Sequence, residues 1–259
     1  MNKILNKINS SGICYFPNIF SKNEVQGLKG KLKDIYKKRK QRREFVGRPD
    51  NQLLWNYFYD DNTLLRLIEI PKIDKILKKL LDKDYVLQSA VAQNHLFIRN
   101  KKINEKGKTS WHTDSRYLGG QRLSKNFGYL VIIALDDFTK NNGATYYIDG
   151  SLNLKNQPKR NLKERDLILK NGRKLKIKRV LMKAGSVCIM NTGIWHKAGK
   201  SSNNTRWSIF NIYTGWFVKP YFKYNSLYNL KIKKNLKKLL HFYSQPPEIN
   251  EIRNTLIKK

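Results

Sequence analysis

Apolar residues recur at helical spacing in two segments within the first third of the chain. The first segment is predicted to form a helix from Lys22 to about Lys40, and the capping box of Ser21 and Glu24 marks its start. The second helix is predicted over about residues 72–82, where Pro71 suits the opening turn. The inward-facing positions are Val25, Leu28, Leu32, Ile35 and Tyr36 in the first helix and Ile73, Ile76, Leu77 and Leu80 in the second.

From Tyr85 onward the apolar pattern changes to short β-rich runs separated by turn residues. The runs cover residues 85–98, 129–135, 145–148, 175–182, 186–190 and 206–217. Many short strands without alternating helices are typical of an antiparallel barrel or jelly roll. The fold class is therefore predicted to be mainly β with flanking helices. We expect a single domain over residues 1–259, with a helical part at about 20–83, a β core at about 85–218 and a helical tail at about 225–259.

Two segments interrupt these patterns. Residues 44–62 combine Trp55, Tyr57 and Phe58 with glycine and proline, and we interpret them as an ordered loop that is either a flap over the core or a lid over a substrate. Residues 152–174 are rich in Lys and Arg with little apolar pattern. This insertion is predicted to be a mobile loop, either simply solvated or facing a substrate.

Composition narrows the class of protein further. Of the 259 residues 40% are apolar, which excludes wholesale disorder, and no apolar stretch is long enough to span a membrane. The first residues lack the continuous apolar run of a secretory signal, and there are only two cysteines, so a cytoplasmic location is predicted. The net charge of +34 has three open explanations: A/T-rich codon usage, an anionic partner, or nucleic acid. Nucleic acid is not favoured, because the basic residues are spread along the chain.

Two of the four histidines lie in a pattern that suits metal binding. In an extended segment the side chains of His112 and Asp114 point to the same side, and His196 follows a later β-rich run. Two imidazoles and one carboxylate with open positions opposite are the facial triad of non-haem Fe(II) oxygenases. Arg206, ten residues after His196, is placed to hold a distal carboxylate such as that of 2-oxoglutarate in a bidentate pair.

These motifs together resemble the phytanoyl-CoA dioxygenase family of Fe(II)/2-oxoglutarate oxygenases. The resemblance is carried by 12–21 and the helix after it, by Trp111-His112-Thr113-Asp114, by 135–151 with its Asn141-Asn142-Gly143, and by Ala184-Gly185-Ser186 with His196 and Arg206. It departs from the family at Asp149 and Leu152, where proline and histidine are usual. The resemblance implies a double-stranded β-helix, a jelly-roll core with a cupin-like architecture.

The resemblance also implies the cofactors and the roles of single residues. His112, Asp114 and His196 would bind Fe(II), Arg206 would anchor 2-oxoglutarate, and O2 would be the oxidant. Family members often carry a hydroxyl residue two positions after the second histidine, but this chain has Ala198 there. The candidates for the missing co-substrate contact are Thr192, Ser208 and Asn94, while His95 is expected to have a structural or substrate-facing role.

The implied activity is oxidation of a C–H bond in a small organic substrate, with release of succinate and CO2. Hydroxylation is favoured over halogenation, because halogenating relatives lack the carboxylate that Asp114 supplies. The substrate can carry an acidic or phosphorylated group, and the residues expected on its side are Arg99, Arg116, Tyr117, the loop around Trp55 and the insertion 152–174. Two alternatives stay open, a nucleic-acid-modifying or nucleic-acid-binding protein on the same core and a non-catalytic family member.

Overall fold

A computed structural model describes most of the chain and shows where the predicted elements lie. The described residues are 1–48, 51–96, 110–114, 117–118, 121–122, 127–154, 156–159, 161–199, 201, 204–218, 220–222, 224 and 232–240. Arg99, Arg116 and His241 lie outside these residues, as does most of the predicted helical tail. No helix in the described ranges has the length and apolar character needed to cross a membrane.

Four α-helices flank the β core in the described ranges. They are α1 (Asn2–Ser11), α2 (Lys22–Gln41), α3 (Pro71–Leu81) and α4 (Lys234–Leu239). The capping box at the start of α2 is present, since the Ser21 hydroxyl accepts from the Glu24 amide and the Glu24 carboxylate accepts from the Ser21 amide. Helix α1 was not predicted; it buries Ile8 completely and ends at Gly12, whose φ of 74° suits a glycine cap.

The described ranges contain twelve strands, and six of them match the six predicted β-rich runs. The twelve strands are β1 (Ile13–Phe16), β2 (Gly47–Arg48), β3 (Asn51–Trp55), β4 (Val86–His95), β5 (Tyr117–Leu118), β6 (Gln121–Arg122), β7 (Gly128–Ala134), β8 (Tyr146–Asp149), β9 (Lys176–Arg179), β10 (Val187–Asn191), β11 (His196–Lys197) and β12 (Arg206–Thr214).

All pairings between these strands are antiparallel, and they build two principal sheets. The main sheet has the order β1-β10-β7-β12-β4-β3-β2, and the second sheet has the order β11-β8-β9. His112 extends the second sheet, because it forms a bridge with His196 on the free side of β11. Non-consecutive strands lie side by side in both sheets, as in a jelly roll, which confirms the predicted fold class.

The two faces of the main sheet bury different cores. One face packs against the helices through Leu28, Leu32, Leu64, Ile73, Val131 and Ile209 among others. The opposite face packs against the second sheet through Leu130, Ile132, Cys188, Met190 and Tyr147 among others. We call the space between the sheets the interior of the jelly roll.

Two interpretations of irregular segments need correction. The segment 44–62 is not one loop, because it contains β2, β3 and two 3-10 helices, and its Tyr57 and Phe58 are completely buried in the helix-side core. The insertion 152–174 is not simply a mobile polar loop. Leu152 and Leu167 are buried, and 164–167 form a turn of 3-10 helix. Their irregular spacing hid these apolar anchors from a search for periodicity.

Candidate metal centre

Backbone hydrogen bonds bring the two predicted histidine segments together. The amide of His112 donates to the carbonyl of His196 at 3.0 Å, and the amide of His196 donates back to the carbonyl of His112 at 2.9 Å. The amide of Asp114 donates to the carbonyl of Thr192 at 3.0 Å, so this carboxylate is fixed to the same stretch of chain. Residues that are far apart in sequence therefore lie side by side at the edge of the second sheet.

The three side chains converge on one point. Nε2 of His196 lies 3.4 Å from Oδ2 of Asp114, and Nε2 of His112 lies 3.8 Å from Oδ1 of the same carboxylate. One ligand atom from each of the three side chains lies within 4.8 Å of the others. Imidazole nitrogens and a carboxylate oxygen at such separations form a donor set that suits a divalent transition metal.

The second ring nitrogen of each histidine is held by the backbone. Nδ1 of His112 lies 2.9 Å from the carbonyl of Ser110, and Nδ1 of His196 lies 2.9 Å from the carbonyl of Ile194. Since a carbonyl can only accept, Nδ1 carries the proton in both rings. Each neutral ring therefore presents the lone pair of Nε2 toward Asp114, which is the tautomer that a metal ligand needs.

Burial and charge shift the titration of the three groups. Burial lowers the pKa of His112, and the neighbouring His196 lowers it further. Burial alone would lower the pKa of His196 and raise that of Asp114, but their mutual attraction outweighs it, so the pKa of His196 is raised and that of Asp114 is lowered. Asp114 is thus a carboxylate at neutral pH and ready to act as an anionic ligand.

Arg206 is buried in the interior of the jelly roll with only 2% of its surface exposed. Its guanidinium donates to the carbonyls of Asn142 and Gly143 at 3.2 and 2.9 Å and to the Ser208 hydroxyl at 3.2 Å, and it stacks 3.7 Å from the ring centre of Phe138. All three acceptors are neutral. Burial lowers its pKa to about 9, a shift that the more distant Asp136 opposes.

The Asn141-Asn142-Gly143 turn holds the arginine in place. The Asn142 side chain ties the turn together, since its Oδ1 accepts from the Thr139 amide and its Nδ2 donates to the Asp137 carbonyl. Gly143 has a φ of 78°, and a Cβ there would lie 2.3 Å from Cδ2 of His95. Only glycine fits this position without strain, because the imidazole of His95 packs directly on its backbone.

Strand alternation decides which of the predicted co-substrate contacts face the interior. Arg206 is paired with His95 and Ser208 with Gln93, so these four side chains share one face of the sheet. Asn94 lies on the opposite face, where its Nδ2 donates to Gln52 at 2.9 Å. The prediction of a co-substrate contact from Asn94 is corrected on this ground.

The other two candidates lie close to the site. Ser208 is completely buried and binds Arg206 directly. The Thr192 hydroxyl donates to the carbonyl of Gly128 at 2.9 Å, while the Thr192 carbonyl binds the Asp114 amide. Thr192 thus positions the carboxylate through its backbone. Gln93, which lies within the predicted β-rich run 85–98, takes the interior position expected for Asn94.

The paired sheets and the convergent His-Asp-His group define a double-stranded β-helix of the cupin type with a candidate metal site at its edge. The chain belongs to the phytanoyl-CoA dioxygenase family, since a profile described as Phytanoyl-CoA dioxygenase (PhyH) matches residues 8–207. No curated protein matches the chain at the level of sequence.

Solved structures with the same fold include enzymes that use 2-oxoglutarate. The epimerase SnoN, in complex with Fe3+, alpha ketoglutarate and nogalamycin RO, is 16% identical with a TM-score of 0.60, and the match covers 83% of each chain. HygX from Streptomyces hygroscopicus, with nickel, 2-oxoglutarate and hygromycin B bound, is 13% identical with a TM-score of 0.60, covering 86% of this chain and 90% of that one. The carbocyclase SnoK from nogalamycin biosynthesis is 16% identical with a TM-score of 0.61, covering 83% and 84%. At these identities the likeness shows the fold.

Proposed function

We propose that this protein is an Fe(II)- and 2-oxoglutarate-dependent dioxygenase that hydroxylates a C–H bond of a small organic substrate. The observation that carries the proposal is the convergence of His112, Asp114 and His196, whose ligand atoms lie within 4.8 Å of one another. Membership of the family and the 2-oxoglutarate-dependent neighbours SnoN and HygX support the same class.

The donor set fits a ferrous ion. The backbone carbonyls hold the Nδ1 protons, so Nε2 is the nitrogen that each neutral ring offers to a metal, and Asp114 supplies the negative charge. Three protein ligands on one side leave coordination positions for a co-substrate and oxygen. When bound, the metal would supply the oxidation of the substrate coupled to decarboxylation of 2-oxoglutarate to succinate and CO2.

Arg206 is the residue that we assign to the distal carboxylate of 2-oxoglutarate. It carries a buried positive charge whose three hydrogen-bond acceptors are neutral, which leaves the charge uncompensated at close range. A buried cation in this state is stabilised by an anion that reaches it. Phe138 stacks on the guanidinium, and the Asn142 and Gly143 carbonyls accept from its N–H groups, so its plane is fixed before the anion arrives.

The substrate is proposed to bind against the interior face of β3 and β4. Along β4 the interior residues Val91, Gln93 and His95 are half-buried, whereas Ala92 and Asn94 between them are buried on the helix side. Trp55 is paired with Val91 and shares this half-open face, which supports its predicted place on the substrate side. SnoN and HygX were solved with the small molecules nogalamycin RO and hygromycin B, in keeping with a small organic substrate here. We expect an anionic group to be accepted but not required.

Most of the insertion 152–174 does not share this side. Leu152 joins the interior core with Tyr147, but Leu154, Leu162, Leu167 and Leu169 pack with Ile148 on the outer face of the second sheet. We therefore remove the insertion beyond Leu152 from the substrate side.

The proposal is tested by succinate release from 2-oxoglutarate in the presence of Fe(II) and O2. Wild-type protein should release succinate slowly without any substrate, and His112→Ala or Asp114→Ala should abolish that release. Asp34→Ala, which removes an exposed carboxylate on α2, should behave as wild type. Succinate release that persists in either site variant would refute the assignment of the triad.

A further inference from the structure

Each of the two candidate metal histidines is preceded by a tryptophan. Trp111 and Trp195 are 5% and 7% exposed, and they join Ile148, Leu167 and Leu175 in one buried cluster. We call these five residues the rear cluster. It is separate from the interior core, which contains Tyr147 and Ile194 instead.

The rear cluster lies on the outer face of the second sheet, directly behind the histidines. In an extended chain consecutive side chains point to opposite faces, so the imidazoles point inward where the indoles point outward. The same alternation separates Tyr147, which is paired with His196, from Ile148 in the rear cluster. The two indoles therefore pack on the outer face of the same chain segments that carry the two imidazoles on the inner face.

The orientation of each imidazole depends on the backbone around its tryptophan. The carbonyls that hold the Nδ1 protons belong to Ser110 and Ile194, the residues just before the two tryptophans. A shift of either indole would tilt the adjoining peptide units and move Nε2 with them. Small displacements of this kind weaken metal binding, because ligand geometry is set by such outer contacts.

The backbone of Trp195 is tied to the sheet, but its ring is held by packing alone. Its amide donates to the Ser151 hydroxyl at 3.0 Å, and its carbonyl accepts from the Ile148 amide at 2.9 Å. Its indole nitrogen is buried and finds no acceptor among the residues that the structure describes. The position of the ring is thus determined by the apolar side chains that surround it.

Two of those side chains are Leu167, in the second half of the insertion 152–174, and Leu175, the residue that follows the insertion. Leu167 and Leu175 are 5% and 3% exposed, and the Leu175 amide donates to the Leu167 carbonyl at 2.8 Å. Both leucines also line a surface groove of about 620 Å³ together with Leu162, Ile177 and three lysines. They therefore form a single layer between this groove and the tryptophans.

We propose that Leu167 and Leu175 are positioning residues for the metal centre, acting through Trp111 and Trp195. This inference rests on the proposed function, since it assumes that His112 and His196 bind a metal. The two leucines thereby cover the outer face of the second sheet and keep the two imidazoles in the orientation that metal binding needs.

The test is metal affinity, measured with metal-free protein. Leu175→Ala and Leu167→Ala are titrated with Ni(II) by calorimetry and with Co(II) by its visible absorption bands. We expect the dissociation constant to rise about 10- to 100-fold, as for other outer contacts of metal ligands, and the Co(II) bands to shift. Leu64→Ala is the matched control, because Leu64 is completely buried in the helix-side core. Leu175→Met, which keeps the volume, should restore most of the affinity.

Three outcomes of the metal titrations separate this inference from the proposed function. The inference is supported if Leu167→Ala and Leu175→Ala lose metal affinity and Leu64→Ala does not, while all three variants lose similar folding stability. If Leu167→Ala, Leu175→Ala and Leu64→Ala bind the metal with the same dissociation constant, the inference is wrong and the proposed function stands. Wild-type protein that binds neither ion overturns the proposed function, and this inference with it. If Leu175→Ala does not fold, Leu175→Val provides the same comparison with a smaller truncation.

Discussion

Replacing Arg206 by methionine should strongly weaken 2-oxoglutarate binding while leaving the protein folded. Methionine keeps an unbranched chain of similar length but has no charge. The lowered pKa of about 9, against an ordinary value of 12.5, indicates that burying the guanidinium costs on the order of 5 kcal/mol. Three hydrogen bonds from a charged donor contribute about 1.5–3 kcal/mol each. At the middle of their range the three hydrogen bonds outweigh the burial cost by about 2 kcal/mol, so Arg206→Met should lower the free energy of unfolding by about 2 kcal/mol and by at most about 4 kcal/mol.

The effect on the free energy of 2-oxoglutarate binding should be at least as large. Removing one partner of a buried charge pair costs about 2–5 kcal/mol in binding, which is roughly a 30- to 3,000-fold rise in dissociation constant. Arg206→Lys keeps the charge but loses the fork, so it should fall between wild type and Arg206→Met. Thermal unfolding with and without 2-oxoglutarate, in the presence of Ni(II), measures both quantities in one experiment. A co-substrate at about 100 times its dissociation constant stabilises wild type by about 2.7 kcal/mol.

The reasoning can fail in two distinct ways. If Arg206→Met retains the full stabilisation by 2-oxoglutarate, the arginine does not bind the distal carboxylate. If the variant without 2-oxoglutarate unfolds at so low a temperature that the loss of stability exceeds about 4 kcal/mol, the arginine is mainly structural, and its contacts with Asn142 and Gly143 explain its presence.

Other consequences of the structure can be checked in the same preparations. Asp60→Asn should lower the free energy of unfolding in urea by about 3 kcal/mol. It removes the carboxylate that lies 2.6 Å from the guanidinium of Arg39, whose side chain is 8% exposed, and leaves Glu44 at 3.6 Å as the remaining anion. Burial raises the pKa of Asp60, but hydrogen bonds from Arg42 and Arg39 outweigh this effect and lower the pKa below its ordinary value. The stability that ionised Asp60 contributes should therefore be lost as the pH falls through the lowered pKa, and the unfolding free energies of variant and wild type should converge in acid. Gly143→Ala should weaken 2-oxoglutarate binding, because the added Cβ meets the imidazole of His95. Gly172→Ala is the control and should leave binding unchanged, because Gly172 also has a positive φ but has open space around its Cβ position. A gel-shift assay at physiological salt should show no retention of DNA or RNA; clear retention would favour the nucleic-acid alternative.

The sequence was sufficient to predict the elements whose signals are local. The capping box located the start of α2 to the residue, and the six β-rich runs correspond to β4, β7, β8, β9, β10 and β12. The His112–Asp114 spacing was informative for the same reason, because two residues on one face of an extended chain need no knowledge of the rest of the fold. The predicted single domain over 1–259 stays a prediction.

What the sequence could not predict depends on pairing between distant segments. Asn94 and Gln93 are adjacent and both polar, and only the register with Arg206 and Ser208 decides which of them faces the interior. Helix α1 gained its stability from burying Ile8 against the body of the protein, which no local signal reported. The burial of Leu167 was missed because this residue lies in an insertion without regular apolar spacing and packs on tryptophans from distant segments. Leu175, in contrast, lies in the predicted β-rich run 175–182.

The most direct test of the central claim is the visible absorbance of the protein mixed with Fe(II) and 2-oxoglutarate in the absence of O2. If His112, Asp114 and His196 hold the ion while 2-oxoglutarate chelates it, wild-type protein should develop a charge-transfer band that needs both additions, and His196→Ala should show none. No band in wild type, or an undiminished band in His196→Ala, would contradict the account.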